Sequence, residues 1–409
     1  ISSEFISKEI EFYTDTQKKL KSIDYDDLSD EQKTVYDVLD YTLKDKIERY
    51  AYHPELMPFS QFEGLPLDFP LLGSAEGNQP FKTTKDYDNW LKRIDAFVIW
   101  MNTAEKNFRE GMKQNVVLPK KLVVKMIPQM HSEEIITEDF DKNIFYGPIK
   151  KMPKNFSAKD KEKYKILYQE AISSKIIPAY QKMGDFLEKE YLPKARNTDG
   201  INAIPNGKNI YEYYAKSWTT TNKTPEEINK IGLQQVAMLR AEMEKVKTQL
   251  GFKGSLEEFL LSLKTDKKAM PFKTPEEVIA AFNGILKKIE PKLPSMFSKF
   301  PKTPFEIRRT EKFREASASA EYKQGTPDGK RPGIFYTPIP DATKYNVTNG
   351  FESLFLHEAI PGHHYQVSLQ QENTEIPKFM RFGWFGAYGE GWAHYTETLG
   401  PEFGLYTDP

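Results

Sequence analysis

Along most of the first half of the chain, to about Tyr191, apolar residues recur at the three-to-four-residue spacing of an α-helix among many Lys and Glu. A chain patterned in this way buries its apolar stripes by packing long helices on one another. One interruption stands out. The stretch His53 to Lys82 carries Pro54, Pro58, Pro66, Pro70 and Pro80 with Gly64, Gly73 and Gly77 among aromatics, which predicts an ordered loop wrapping the helices. A second break, Pro193 to Gly207, mixes Pro, Gly and Asn and marks the domain boundary: a helical N-terminal region, 1–205, and a second region, 206–409.

In the second region, Thr224-Pro225-Glu226-Glu227 and Thr274-Pro275-Glu276-Glu277 both read as helix starts, with Thr as N-cap, Pro at the first helical position and Glu reaching back. The sequences after the two tetrapeptides diverge, so capping chemistry explains them without an internal repeat. Between about Phe305 and Pro340 the pattern changes to short β-prone runs, Phe305-Glu306-Ile307, Ala318 to Tyr322 and Gly333 to Thr337, separated by Gly- and Pro-rich turns. The expected class is mainly α, with long helices and one small antiparallel β-sheet just ahead of the residues that carry the chemistry.

Composition narrows the partners. With 39% hydrophobic and 29% charged residues the chain is that of a soluble globular protein, and its formal charge of −1 removes the electrostatic case for nucleic acid or an anionic membrane. The Lys-rich run Lys159 to Lys165 reads as a solvated helix face. No cysteine is present, which excludes disulfides, thiolate catalysis and Cys-based zinc sites and leaves His, Asp and Glu as metal ligands. No apolar run approaches the ~20 residues of a membrane span, and Ile1 to Ile10 lacks the order of a signal peptide. The first residue is not Met, so a processed or trimmed chain is expected; a removed export signal together with the absence of cysteine favours an extracytoplasmic place, periplasmic or lipid-anchored, over the cytoplasm.

Of the six histidines, His357, His363, His364 and His394 fall in one window. His53 and His131 lie outside it and read as ordinary satisfied histidines. The window opens with Asn349-Gly350-Phe351-Glu352, an N-cap with a capping-box Glu, followed by Phe351, Leu354 and Phe355 as the apolar face of a helix that carries His357 and Glu358 near its middle. His followed by Glu opens the zinc-peptidase helix motif His-Glu-x-x-His, in which two His one turn apart grip zinc and Glu deprotonates the bound water. Here Pro361 stands where the second His belongs, and the next histidines are His363 and His364. On a straight helix His357 and His364 would lie ~10 Å apart along the axis, too far for one ion. Pro361 removes a backbone donor and Gly362 tolerates almost any dihedral, so the pair suits a bulge that absorbs two residues and returns His363 to the metal. The competing reading is a helix that ends at Ile360, with Gly362 as its terminator and surface histidines beyond.

Glu390-Gly391-Trp392-Ala393-His394-Tyr395-Thr396-Glu397 then places Glu390, His394 and Glu397 on one helical face. A carboxylate from a second helix turns a two-His site into a three-ligand zinc with an open position, and Glu390 fits that role. Glu397, two turns on, suits an acceptor that holds a ligand His in its tautomer, and His394 a supporting or substrate contact. A solvated helix face is the bland alternative for this trio. Trp384, Tyr388, Trp392 and Tyr395 form a separate stripe, read as core.

His-Glu-Ala-Ile-Pro-Gly-His-His-Tyr-Gln at 357–366 and Gly-Glu-Gly-Trp-Ala-His-Tyr-Thr-Glu at 389–397 resemble the signature of the bacterial domain-of-unknown-function 885 family, grouped with the zincin metallopeptidases. Lys216-Ser217-Trp218-Thr219-Thr220-Thr221 and Arg331-Pro332-Gly333-Ile334-Phe335-Tyr336 extend the resemblance along the chain. Angiotensin-converting-like and thermostable carboxypeptidases carry a Gly directly before the second ligand His, and dipeptidyl peptidase III has a motif expanded by one residue. Aligned so, the resemblance implies His357, His363 and Glu390 as zinc ligands with a two-residue expansion, and His364 as the alternative ligand. It further implies attack of zinc-bound water on a peptide carbonyl, with Glu358 as general base. The Gly333 to Thr337 strand would offer the substrate backbone an edge, with Tyr336 contributing to catalysis. Family members continue beyond the point where this chain stops, about a dozen residues after the second motif, through helices that supply a Tyr-containing segment. The remainder of the same protein is therefore expected to be missing.

Two functions follow as expectations. The first is a zinc-dependent peptidase acting on short peptides; the alternative is a non-catalytic zincin-like protein that binds peptide or partner without turnover. Metal content and chelator-sensitive cleavage separate them. A di-iron carboxylate bundle requires Glu-x-x-His pairs on two helices, which this cluster lacks.

Overall fold

The computed structural model describes residues 1–311, 315, 318–348 and 350–408. The described residues fold mainly as helices, and they divide into one unit of Ile1–Leu28 with Leu39–Tyr213 and another of Ser29–Val38 with Tyr214–Pro409. None of the helices is long and apolar enough to cross a membrane.

The first unit contains α1 (Ser3–Lys21), most of α2 (Asp30–Tyr50), α3 (Leu65–Gly73), α4 (Thr84–Lys113), α5 (Lys120–Met130), α6 (Ala158–Ala171) and α7 (Ile177–Phe186). Thr83 starts α4 through a reciprocal capping box with Asp86, and the helix then buries Tyr87, Trp90, Ile94, Phe97, Met101 and Phe108 along one stripe. α3 corrects the expectation of a loop between His53 and Lys82. Pro66 sits in its first turn, where a missing N–H costs nothing, and Phe69 anchors it in the core, stacked 3.9 Å from Phe97 and 4.7 Å from Trp90 between ring centroids. Tertiary burial overrides the proline-rich composition. The expected break at Pro193–Gly207 is a run of short 3₁₀ turns, Leu192–Lys194 and Ile201–Ala203, while the division itself falls at Tyr213, inside α8 (Gly207–Thr219).

In the second unit α9 (Pro225–Gln249) begins on the expected box, Thr224 accepting from the Glu227 N–H and Glu227 from the Thr224 N–H. α10 (Leu256–Thr265) follows, then α11 (Pro275–Ile289), where Thr274 caps as expected but Glu277 reaches to the N–H of Lys273 instead. α11 lays Val278, Phe282, Ile285 and Ile289 against Phe335, Phe355 and Leu356 to form the second core.

Three strands accompany it: β1 (Phe305–Arg309), β2 (Glu321–Lys323) and β3 (Gly333–Thr337), in the order β1-β3-β2. The sheet is mixed, not antiparallel as expected. β2 pairs with β3 antiparallel, Tyr322 opposite Phe335, whereas β1 pairs with β3 parallel, Phe305 opposite Gly333. β3 is consequently the paired central strand and has no edge to offer a substrate. β2 is an outer strand.

Beyond the sheet come α12 (Phe351–Glu358), α13 (His363–Glu372) and α14 (Gly386–Glu397). Gly350 caps α12 with a positive φ of 74°, the expected N-cap Asn349 lies outside the described residues, and Glu352 accepts from the N–H of Tyr406.

Candidate metal centre

The helix that begins at Phe351 ends at Glu358, and a new one begins at His363. The motif is thus broken between two helices and does not bulge within one. The reason is steric and local. A Cβ on Gly362 would lie 1.9 Å from the carbonyl oxygen of His357 and 2.2 Å from that of Leu356, so the backbone of the turn folds directly over the end of α12, an approach open only to glycine. The His364 N–H then donates to Ala359 O at 3.1 Å, and the Trp392 indole N–H donates to Pro361 O at 2.8 Å, which ties the turn to α14. Thr396 secures the same helix from the other side, its hydroxyl donating to Leu356 O at 2.9 Å.

This turn does not leave surface histidines beyond it, contrary to the reading of a helix that ends at Ile360. His363 is buried, and its ring lies 4.8 Å from that of His357, nearly perpendicular to it. The Nε2 atoms of His357 and His363 each stand 3.4 Å from the same oxygen, Oε2 of Glu390. One ligand atom from each of the three lies within 4.8 Å of the others. Four ligand atoms around a tetrahedral zinc, with bonds of 2.0–2.2 Å, stand about 3.3 Å apart. Both His–Glu separations match that spacing, so the donor set and its geometry fit a zinc ion.

The surroundings tune these donors. Glu397 Oε1 lies 2.9 Å from His357 Nδ1, a bond that directs Nε2 toward Glu390. The same oxygen lies 3.3 Å from Nδ1 of His394, whose side chain is exposed. Burial, opposed by Glu390 and reinforced by His357, lowers the pKa of His363 and keeps its imidazole neutral, the form that ligates metal. Its Nδ1 is buried with no hydrogen-bond partner among the described residues. Burial pushes the Glu358 carboxyl up to about 7; His357 opposes the shift, Glu390 and Glu321 add to it, and a hydrogen bond from the Tyr322 backbone opposes it. A carboxyl in that range both accepts and releases a proton near neutral pH.

His364 belongs to a different environment. It is 1% exposed, its Nδ1 is 3.1 Å from the Tyr322 hydroxyl and 3.4 Å from Ser368 Oγ, and its ring centroid lies 4.8 Å from that of Phe305. Burial drives its pKa down to about 4, against the influence of Glu372 and of its hydrogen bond to the Thr303 backbone. The Tyr336 phenol interacts with Glu311 and Arg308.

Sequence reasoning missed several contributors. Tyr322 holds His364 and reaches Glu358 through its backbone, and Gly333 makes room for it, since a Cβ there would meet the Tyr322 hydroxyl at 2.4 Å and His364 Nδ1 at 2.5 Å. The strand pattern around Tyr322 was the available signal, but nothing local links it to histidines 42 positions away. The aromatic stripe read as core is largely surface: Trp384, Tyr388 and Tyr395 are 49%, 63% and 53% exposed. A second group, His131, Asp185 and Glu188, also brings ligand atoms within 4.8 Å of one another, but both carboxylates are exposed and Asp185 pairs with Lys189.

Comparison with known proteins places this arrangement in a family. The family described as bacterial protein of unknown function, DUF885, matches residues 1–409. The chain belongs to the DUF885 family. Among solved structures it matches the crystal structure of "the putative lipoprotein from Colwellia psychrerythraea" with a TM-score of 0.89 and 23% sequence identity, over 99% of this chain and 71% of that one. At that identity the likeness shows the fold, which this DUF885 chain therefore shares with that protein. No curated protein matches.

Proposed function

We propose that this DUF885 protein is a zinc-dependent peptidase. The observation that carries the reading is the convergence of His357 Nε2 and His363 Nε2 on Glu390 Oε2, each at 3.4 Å, with Glu358 buried directly after the first ligand. His357, His363 and Glu390 would hold the ion, which when bound supplies a Lewis acid and lowers the pKa of water. Glu358 is the proton acceptor: its carboxyl is held in an apolar setting that raises its basicity, and Glu321 and Glu390 add to that rise. Glu397 fixes the tautomer of His357, and Tyr322 and His364 brace the start of α13 from its other side. β2, an outer strand whose Tyr322 backbone reaches Glu358, takes over from β3 the part of offering the substrate a backbone to pair with. Tyr336, expected to contribute to catalysis, is engaged with Arg308 and Glu311. An extracytoplasmic, lipid-anchored location is part of the proposal, supported by the description of the Colwellia protein as a lipoprotein.

The test is zinc analysis of the purified chain with cleavage of a peptide library. Stoichiometric zinc, chelator-sensitive cleavage and loss of cleavage in Glu358→Gln are expected. Peptide binding without metal and without turnover would instead establish the non-catalytic alternative.

A further inference from the structure

Large aromatic side chains are exposed beside the candidate centre. Trp218 is 65% exposed, Trp384 49% and Tyr388 63%, all in the second unit. Scattered single apolar residues on a surface are ordinary, but several aromatic rings around one helix turn are not. The Trp384 ring centroid lies 5.7 Å from that of His363, so this indole adjoins the metal-binding residues directly.

The first turn of α14 is shaped to carry it. A Cβ on Gly389 would fall 2.2 Å from the Trp384 ring, and one on Gly386 would fall 3.0 Å from the Trp218 ring. These two glycines, three apart and so on one helical face, let both indoles lie against the helix backbone. Glu390, the carboxylate of the candidate centre, follows Gly389 directly. The indoles are consequently held in place on the helix that carries Glu390 while Trp384 keeps 49% and Trp218 65% of its surface open. Flat rings anchored at low entropic cost are what a binding surface for apolar groups requires.

We propose that Trp384, with Trp218, forms the wall of a subsite for a bulky aromatic or aliphatic side chain of a peptide bound at the His357–His363–Glu390 centre; this rests on the peptidase reading for the identity of the ligand. Burial of one Phe side chain against such a wall is worth about tenfold or more in affinity.

The test uses the zinc-loaded full chain carrying Glu358→Gln, so that binding is read without turnover, and an N-acetylated Ala octapeptide along which a single Phe is moved. Calorimetric titration should find at least one Phe position that binds about tenfold or more tighter than the all-Ala peptide. Trp384→Ala should reduce that ratio to about twofold or less with zinc stoichiometry unchanged, and Trp384→Phe should keep most of it. No preference for Phe at any position, or a preference that survives Trp384→Ala, overturns the proposal. So does a concentration-dependent self-association that Trp384→Ala abolishes, because a second copy would then be what covers the rings. Hydrolysis is measured separately with Glu358 intact: Trp384-dependent binding without hydrolysis would sink the peptidase reading and leave the subsite standing.

Discussion

His363 and His364 are adjacent in the chain, yet one lies 3.4 Å from the Glu390 carboxylate and the other is sealed against Tyr322 and Phe305. Consecutive residues at the start of a helix project about 100° apart, so only one of the pair can face the centre. Metal analysis should therefore separate them. His357→Ala, His363→Ala and Glu390→Ala should each leave almost no bound zinc, while His364→Ala should retain it and lose about 1–3 kcal/mol of stability, because it empties the buried space the imidazole fills against Phe305. Zinc lost in His364→Ala and kept in His363→Ala would reverse the assignment. Glu397 acts through the tautomer of His357, so Glu397→Ala should weaken zinc affinity about 10–100-fold without abolishing it. A chelator competition titration measures that difference, and unchanged affinity would remove Glu397 from the centre.

At the scale of elements, the turn from α12 to α13 decides whether the centre exists. Gly362→Ala would place a methyl group inside the carbonyls of Leu356 and His357, and the loss should amount to about 3 kcal/mol or more, with zinc binding lost alongside. Thermal denaturation near the wild-type midpoint with full zinc content would show that the turn has another way to close. Away from the centre, Glu105 on α4 is buried and paired with Lys182 at 2.7 Å and with Arg109. Burial alone would raise its pKa, but hydrogen bonds and charge from Lys182 and Arg109 reverse the shift and hold it below the ordinary value. A carboxyl depressed in the folded state adds stability above its unfolded pKa of about 4.3 and loses it as the pH falls through the folded value. The stability gap between wild type and Glu105→Gln should thus be about 1–3 kcal/mol near pH 7 and shrink below about pH 4. A gap independent of pH in urea titrations would show the ion pairs contribute nothing. These elements also show how far the sequence could be read. Helix starts at Thr224 and Thr274 were legible because a cap is a contact between near neighbours, and His357, Glu358, Glu390 and Glu397 were legible because spacing on a helix face is local. The parallel pairing of β1 with β3 and the helix at Leu65–Gly73 were not, because each depends on atoms far away in sequence: the register that sets Phe305 opposite Gly333, and the burial of Phe69 against Trp90 and Phe97.

At the scale of the whole molecule there are two separate cores, one built on Trp90, Phe97 and Tyr180 and the other on Phe282, Phe335 and Phe355. All three candidate ligands belong to the unit of the second core. An ion that binds only the folded form stabilises what it binds by RT ln(1 + [L]/Kd), about 2.7 kcal/mol at a free concentration 100 times Kd. That stabilisation should appear where the ligands are, since α12, the turn and α13 must open before His357 and His363 can separate. Hydrogen exchange of the full chain, compared with zinc and with excess chelator, should show slowed exchange over residues 351–372 and 386–397 when zinc is bound. Residues 87–191, which carry the first core, should exchange at the same rate in both states. A slowing spread equally over both cores would mean that the protein responds as one cooperative block. No slowing anywhere would mean that the imidazoles and the carboxylate converge without holding an ion, and the peptidase reading would fall with it.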